Sequence, residues 1–255
     1  MNQALLIELL TEELPPKELE SLSLSFSGEI IENLKKLKIL GDDLDYESFQ
    51  TPRRISLLIQ NVPTKSPDQI LTKNLMPVNI GFDKSGIPSK ALLKKMDALE
   101  LSHKNLSKIE RKMTDKGEIL FIQYKKIGVN LANAVAESIE MAIKKMQSSK
   151  TMTYQLDDGI TNIKFVRPIR NIMILHGSNK IDLKILGMKS SNITSGHRFL
   201  GKKELLIENA NSYIDVLKSQ GKVIVAASDR KNIILDQARE KSSELKCKID
   251  GTHLI

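Results

Sequence analysis

Along the chain the apolar positions change period several times, and each change marks an element. Residues 4–10 are apolar except for Glu8, which is the length and continuity of a buried strand. Pro15 and Pro16 then mark a helix start, since proline lacks the amide hydrogen that a first turn leaves unpaired. From Lys17 to about Leu40, Leu19, Leu22, Phe26, Ile30, Leu34 and Leu37 recur at three- and four-residue steps, which predicts one amphipathic helix with Gly41 as its stop. A second strand is expected over residues 53–62, so the opening reads strand, helix, strand.

The middle of the chain alternates in the same way. Residues 63–90 are rich in Pro, Gly, Asp, Lys and Ser and predict irregular structure or short strands. A short helix follows over 89–100. Residues 108–113 and 118–126 predict a hairpin through Thr114-Asp115-Lys116-Gly117, where Gly117 accepts positive φ. Residues 130–146 form a second amphipathic helix capped by Asn130. The polar stretch 148–162 suggests a boundary near residue 150. Beyond it come strands near 163–176 and 180–187, a Ser- and Gly-rich loop to Gly201, a helix over 209–219, a strand over 222–227, and a helix over 228–246 capped by Ser228 or Asp229. The expectation is an α+β chain of mixed sheets and packed amphipathic helices in two or three compact units. Residues 1–150 form an N-terminal α/β region, and residues 151–255 a second one that continues beyond this sequence.

Composition sharpens this picture. Hydrophobic residues are 40% and charged residues 27% of 255, enough apolar surface to offset the entropy of ordering. No apolar stretch approaches the ~20 residues of a membrane span, and no basic leader opens the chain, so a cytoplasmic protein with no membrane association is expected. Cys247 is the single cysteine, which excludes an intrachain disulfide and a multi-cysteine metal site.

Charge is unevenly spread. Residues 1–50 carry 4 lysines against 11 carboxylates, whereas residues 51–255 carry 35 basic against 20 acidic side chains. A positive surface of that extent suits phosphate, although scattered lysine also serves as plain solvated surface. Aromatics are only 4%, with no Trp, which argues against a stacking platform for single-stranded RNA.

Several groups invite a chemical reading, each beside a structural one. Glu8, Glu12 and Glu13 are able to divide acid and base roles, but Glu12 and Glu13 also suit the positive end of the helix after Pro15. Arg53 and Arg54 head a strand, where alternation sends them to opposite faces, toward phosphate or toward those acids. Phe165-Val166-Arg167-Pro168-Ile169-Arg170-Asn171 combines two arginines with a proline that favours an edge, a bulge or a strand start. His197 and Arg198 lie in a glycine-bounded loop suited to presenting charge to an anion. His103, His176 and His253 show no metal-ligand spacing, and no glycine-rich phosphate loop or nucleophile elbow occurs.

Taken in order, Glu8-Leu9-Leu10-Thr11-Glu12-Glu13-Leu14-Pro15-Pro16-Lys17, Thr51-Pro52-Arg53-Arg54, Asp115-Lys116-Gly117-Glu118, Phe165-Val166-Arg167-Pro168 and Gly196-His197-Arg198-Phe199 resemble the β subunit of bacterial-type heterotetrameric glycyl-tRNA synthetase. The resemblance runs along essentially the whole chain and matches the N-terminal part of that longer subunit. It implies a glycine–tRNA ligase in which the α subunit holds ATP and Mg and activates glycine. The β subunit would then support tRNA(Gly) recognition and the assembly of an α2β2 heterotetramer, with no catalytic residue, metal or cofactor in this chain. Arg53, Arg54, Arg167, Arg170, His197 and Arg198 become candidates for RNA or interdomain contact. A scaffold segment without direct RNA contact, and an independent enzyme using Glu8, Glu12 or His197, are the alternatives.

Overall fold

Leu5, Ile7 and Leu9 on one side and Ala4 and Leu6 on the other bury the first strand, β1 (Gln3–Thr11), on both faces. A 3-10 turn (Pro16–Glu18) then leads into α1 (Leu19–Lys36), whose Leu22, Phe26, Ile30 and Leu34 are buried. The helix stops earlier than Gly41: Lys38 takes φ 58°, and the amides of Ile39 and Leu40 turn back to the Leu34 carbonyl. Next come β2 (Tyr46–Thr51) and β3 (Arg54–Val62), joined by Pro52 and Arg53. In β2 only Phe49 is apolar and buried, so an edge strand of this kind leaves little hydrophobic signature.

The chain continues through β4 (Gln69–Pro77), α2 (Val78–Gly81), α3 (Lys90–Asp97), a 3-10 segment (His103–Lys108), β5 (Ile109–Thr114) and β6 (Gly117–Lys126). It then forms α4 (Leu131–Lys145), β7 (Met152–Gln155), β8 (Asn162–Phe165), β9 (Ile169–His176), β10 (Asn179–Lys180), β11 (Lys184–Ile185), β12 (Met188–Lys189), β13 (Ile193–Thr194) and β14 (Leu205–Leu206). A 3-10 turn (Ala210–Ser212), α5 (Tyr213–Ser219) and α6 (Ala227–Glu244) complete it. This computed structural model describes residues 2–83, 85–99, 101–115, 117–146, 148, 150–156 and 159–247, with only the backbone of His103. Lys116 of the expected hairpin turn and His253 lie outside the described residues.

The fold is α+β, and its contacts divide into two units, residues 1–66 with 129–255, and residues 67–128. The division therefore falls away from residue 150. β1 pairs with β9 across the polar stretch that suggested a boundary, and that stretch holds β7 and the start of β8, which pair as a hairpin.

In the larger unit, antiparallel pairing gives the order β10-β9-β1-β3-β2. Ile7 faces Leu57 on one side and Ile174 on the other, so alternation carries Leu5, Ile7, Leu9, Ile55, Leu57, Ile172 and Ile174 onto one face. There α1 and α4 cover the sheet. Ala134, Ser138 and Ala142 are small and fully buried on α4, which lets the two helices approach, and Asn33 Nδ2 donates to Ser138 Oγ at 3.0 Å. The Asn130 side chain caps α4 by accepting from the Ala132 amide at 2.8 Å. The opposite face, with Leu6, Leu58, Met173 and Leu175, is covered by Leu205, Ile207, Tyr213, Leu217 and Val225.

The smaller unit is an antiparallel sheet in the order β4-β6-β5, with a core of Leu75, Leu92, Met96, Leu101, Leu120 and Ile122. β4 buries only Leu75, which is why its composition reads as irregular. Ser89 Oγ caps α3 by accepting from Leu92 N, and Gly117 has the expected positive φ of 102°.

Three further differences have local causes. The run 180–187 breaks into β10 and β11, because Leu183 N and Ile181 O bond to Ser190 Oγ rather than to a neighbouring strand. Residues 222–226 form no strand. Lys222 takes φ 53°, and the alternating valines pack Val225 into the core without a ladder partner. Helix α6 starts after Ala226 with no side-chain cap, and none of its residues is buried.

Phe26 joins α1 to the sheet and is fully buried, so Phe26→Ala should cost about 3–5 kcal/mol of unfolding free energy. A fall in urea midpoint with an unchanged m-value is the expected record.

Candidate functional site

Glu8 lies on the sheet face that α5 covers, and alternation places Arg54 and Ser56 of β3 on that same face. All three are buried, with Thr194 and Tyr213 beside them. Arg54 Nη1 stands 3.4 Å from Glu8 Oε2, and Arg54 Nη2 donates to the Ser195 carbonyl. Thr194 Oγ1 donates to Glu8 Oε1 and the Tyr213 hydroxyl to Glu8 Oε2, leaving Tyr213 to accept from Ser56 at 3.0 Å. Burial works against the Arg54 charge, but Glu8 and Tyr213 outweigh it and hold the guanidinium pKa above its ordinary value. Burial, and then the Glu8 charge, push the Tyr213 hydroxyl well above its ordinary range. Arg54 Nε and Nη1 have no well-formed hydrogen bond among the described residues. The network is a tie between β1, β3, α5 and the chain at Ser195, closed to solvent.

A second cluster lies at the strand ends. Arg53 sits in the β2–β3 turn rather than in a strand, so the alternation argument does not apply to it. Thr11 N donates to Arg53 O at 2.8 Å and Glu12 N to Pro168 O at 2.9 Å, which sets Glu12 between that turn and the start of β9. Pro168 precedes β9, and the register slips between Leu10 and Thr11 there, in keeping with a proline at a bulge and strand start. Arg170 Nε and Nη2 both lie 2.6 Å from Glu12 Oε1, and Arg53 Nη2 lies 3.7 Å from Oε2. Hydrogen bonding from Arg170 lowers the Glu12 pKa despite some desolvation, and the charges of Arg170, Arg53 and Arg198 add to the effect. Two guanidiniums thus meet one carboxylate, and the charge of Arg198 is felt there without a contact. Arg167 donates to the carbonyl of its own neighbour Val166 at 2.8 Å.

The third feature is the loop after Ser195. His197 Nδ1 accepts from the amides of Phe199 and Leu200 at 3.3 and 3.2 Å, folding the loop over the ring. His197, Arg198, Phe199 and Leu200 are all exposed. Of the sequence candidates, Arg53 and Arg170 therefore meet at Glu12, Arg198 and His197 lie in the exposed loop, Arg167 bonds to its own neighbour, and Arg54 is buried on Glu8. Tyr213 and Thr194 carried no sequence signal. Their neighbours are apolar or loop-like, and only the register of β1 with β3 shows why Glu8 needs them.

The other histidine described with its side chain, His176, is buried and donates Nε2–H to the Val62 carbonyl at 2.7 Å, an interstrand tie. A 730 Å³ cleft between the end of α4 and β8 is lined by Lys144 and Lys164 but by no acidic side chain among the described residues. Cys247 is free and exposed. Among the described residues no group of three or more His, Cys, Asp or Glu side chains is placed to hold a metal, and no helix is long and apolar enough to cross a membrane.

The larger unit is thus a two-faced antiparallel sheet domain with a buried ion pair inside and Arg53 and Arg170 at its rim. The chain belongs to the glycyl-tRNA synthetase beta subunit family, which it matches over residues 5–254. It is 38% identical over 250 residues to the glycine–tRNA ligase beta subunit of Nitrosomonas europaea, covering 97% of this chain and 35% of that protein. The namesakes from Nitrosomonas eutropha and Ralstonia nicotianae are 37% and 38% identical, covering 99% and 90% of this chain and 36% and 33% of theirs. The chain spans about a third of the length of these relatives.

The two ion pairs respond differently to perturbation. Glu8→Ala strands a buried guanidinium and should cost about 3–5 kcal/mol in chemical denaturation, whereas Glu8→Leu with Arg54→Met should recover only part of that loss, because Thr194, Tyr213 and the Ser195 carbonyl lose these partners. Because the folded pKa of Glu12 is depressed, its contribution to stability is complete above the ordinary value of 4.5 and is lost as pH falls through the lowered folded value. In an NMR titration, Arg170→Ala should move the Glu12 carboxyl back up toward 4.5.

Proposed function

We propose that this chain is the N-terminal part of the β subunit of a cytoplasmic, heterotetrameric glycine–tRNA ligase, and that it supports tRNA(Gly) recognition and subunit assembly. ATP and Mg belong to the partner α subunit, which activates glycine. The family match along the chain supports the assignment, and the pairing of both Arg53 and Arg170 with the single carboxylate of Glu12, with the charge of Arg198 felt there, supports the RNA-facing part of it. Such a surplus of guanidinium charge at an open rim suits phosphate oxygens, which planar donors grip well. The scaffold reading is favoured for Arg54 alone, whose charge is buried on Glu8.

Replacing Arg53 and Arg170 with Ala should weaken tRNA(Gly) binding and flatten the dependence of log K on log salt by about 1 to 2, near one for each phosphate that is no longer neutralised. With the α subunit present, the same double variant should raise KM for tRNA in glycylation assays while leaving glycine activation unchanged. An unaltered salt slope would assign these arginines to the scaffold.

A further inference from the structure

We infer that the tip of the loop after Ser195 is a seat for one unpaired RNA base, with Phe199 as the stacking surface and Arg198 beside it for a flanking phosphate. The inference rests on the RNA-facing reading above and narrows it, from RNA in general to RNA with an unstacked nucleotide.

The first observation is exposure. Phe199 is 84% exposed and Leu200 73%, at the tip of a loop whose base is held tightly. An aromatic ring left in water loses the transfer energy that burial would give it, so a ring held out on a well-tied loop suits a surface that is covered on binding.

The second is rigidity. Gly196 N donates to Lys202 O at 2.9 Å, His197 N to Gly221 O at 2.6 Å, and Gly201 N to His197 O at 3.0 Å. The backbones are too close for side chains: a Cβ on Gly201 would lie 2.0 Å from Gly221 O, and one on Gly196 2.7 Å from Gly221 Cα. At the near end Arg54 holds the Ser195 carbonyl, so the buried pair with Glu8 anchors the loop to the sheet. His197 Nδ1 closes the tip through the Phe199 and Leu200 amides. A pre-ordered tip loses little conformational entropy when a partner arrives.

The third is charge. The Arg198 guanidinium lies 6.0 Å from the centre of the Phe199 ring and its field reaches Glu12, which joins the tip to the Arg53 and Arg170 cluster. Lys202 and Lys203 follow directly in the chain. Lysine is depleted at protein–protein interfaces, while an aromatic face flanked by cations is the arrangement that takes a splayed base with its phosphates. Low aromatic content overall does not weaken this, since one ring suffices for one base.

The test uses the full chain and two RNA hairpins of equal stem, one blunt and one with a short single-stranded tail carrying 2-aminopurine. Wild type should bind the tailed hairpin more tightly and quench its fluorescence. Phe199→Ala should lose about tenfold in affinity for the tailed hairpin only, with an unchanged salt slope, and Phe199→Trp should retain binding and quenching. Phe199 is exposed, so these variants should unfold like wild type. Equal binding of both hairpins by wild type and Phe199→Ala, with the salt slope still sensitive to Arg170→Ala, would overturn the stacking seat and leave the RNA-facing reading standing. No binding of either hairpin by wild type would remove both. Loss of α-subunit association by Phe199→Ala, with RNA affinities intact, would reassign the tip to a protein interface.

Discussion

The pairing of β1 with β3 puts Glu8 and Arg54 on one face of a sheet from which water is excluded, and much of the larger unit follows from how that charge is satisfied. A buried carboxylate is costly unless its oxygens are filled. Here one oxygen takes the Thr194 hydroxyl, and the other takes Tyr213 with Arg54 beside it. Those partners come from β3, the region of β13 and the start of α5, so meeting the needs of Glu8 also docks the third layer and the Ser195 loop. Removing a charge from such a pair leaves its partner stranded, which makes the register of β1 against β3 hard to change.

The same strand connects inside to outside. β1 runs on from Glu8 to Thr11, and Glu12 follows where the strand ends, its carboxylate meeting Arg170 and Arg53 with part of their charge still exposed. Only three residues thus separate the carboxylate of a sealed ion pair from that of an open one. The inner pair ties β1 to β3 beneath α5. The outer one leaves positive charge in excess at the edge, next to a loop that presents an aromatic ring, and such excess is the part of the molecule suited to a polyanion.

Long periodic elements could be read directly from the chain. The spacing of Leu22, Phe26, Ile30 and Leu34 specifies α1, Asn130 announces the start of α4, and Gly117 permits the β5–β6 turn. Elements with little apolar content could not. β2 and β4 bury a single apolar residue each, Phe49 and Leu75, because an edge or lightly covered strand needs few hydrophobic positions. The insertion of residues 67–128 between the two segments of the larger unit was equally hidden, since composition records local polarity and not which strands pair.

By itself the sequence determined the α+β class, the two main amphipathic helices and the candidate groups Glu8, Glu12, Arg53, Arg170 and Arg198, because hydrophobic period and residue chemistry are local properties. Only the tertiary structure decided their surroundings. Arg53 and Arg54 are neighbours in the chain, yet one lies in a turn beside Glu12 and the other is sealed against Glu8. Likewise Phe199 and Tyr213 are both aromatic, but one is 84% exposed and the other fully buried. Burial depends on which distant segments pack over a residue, and that is set by strand pairing across more than a hundred residues.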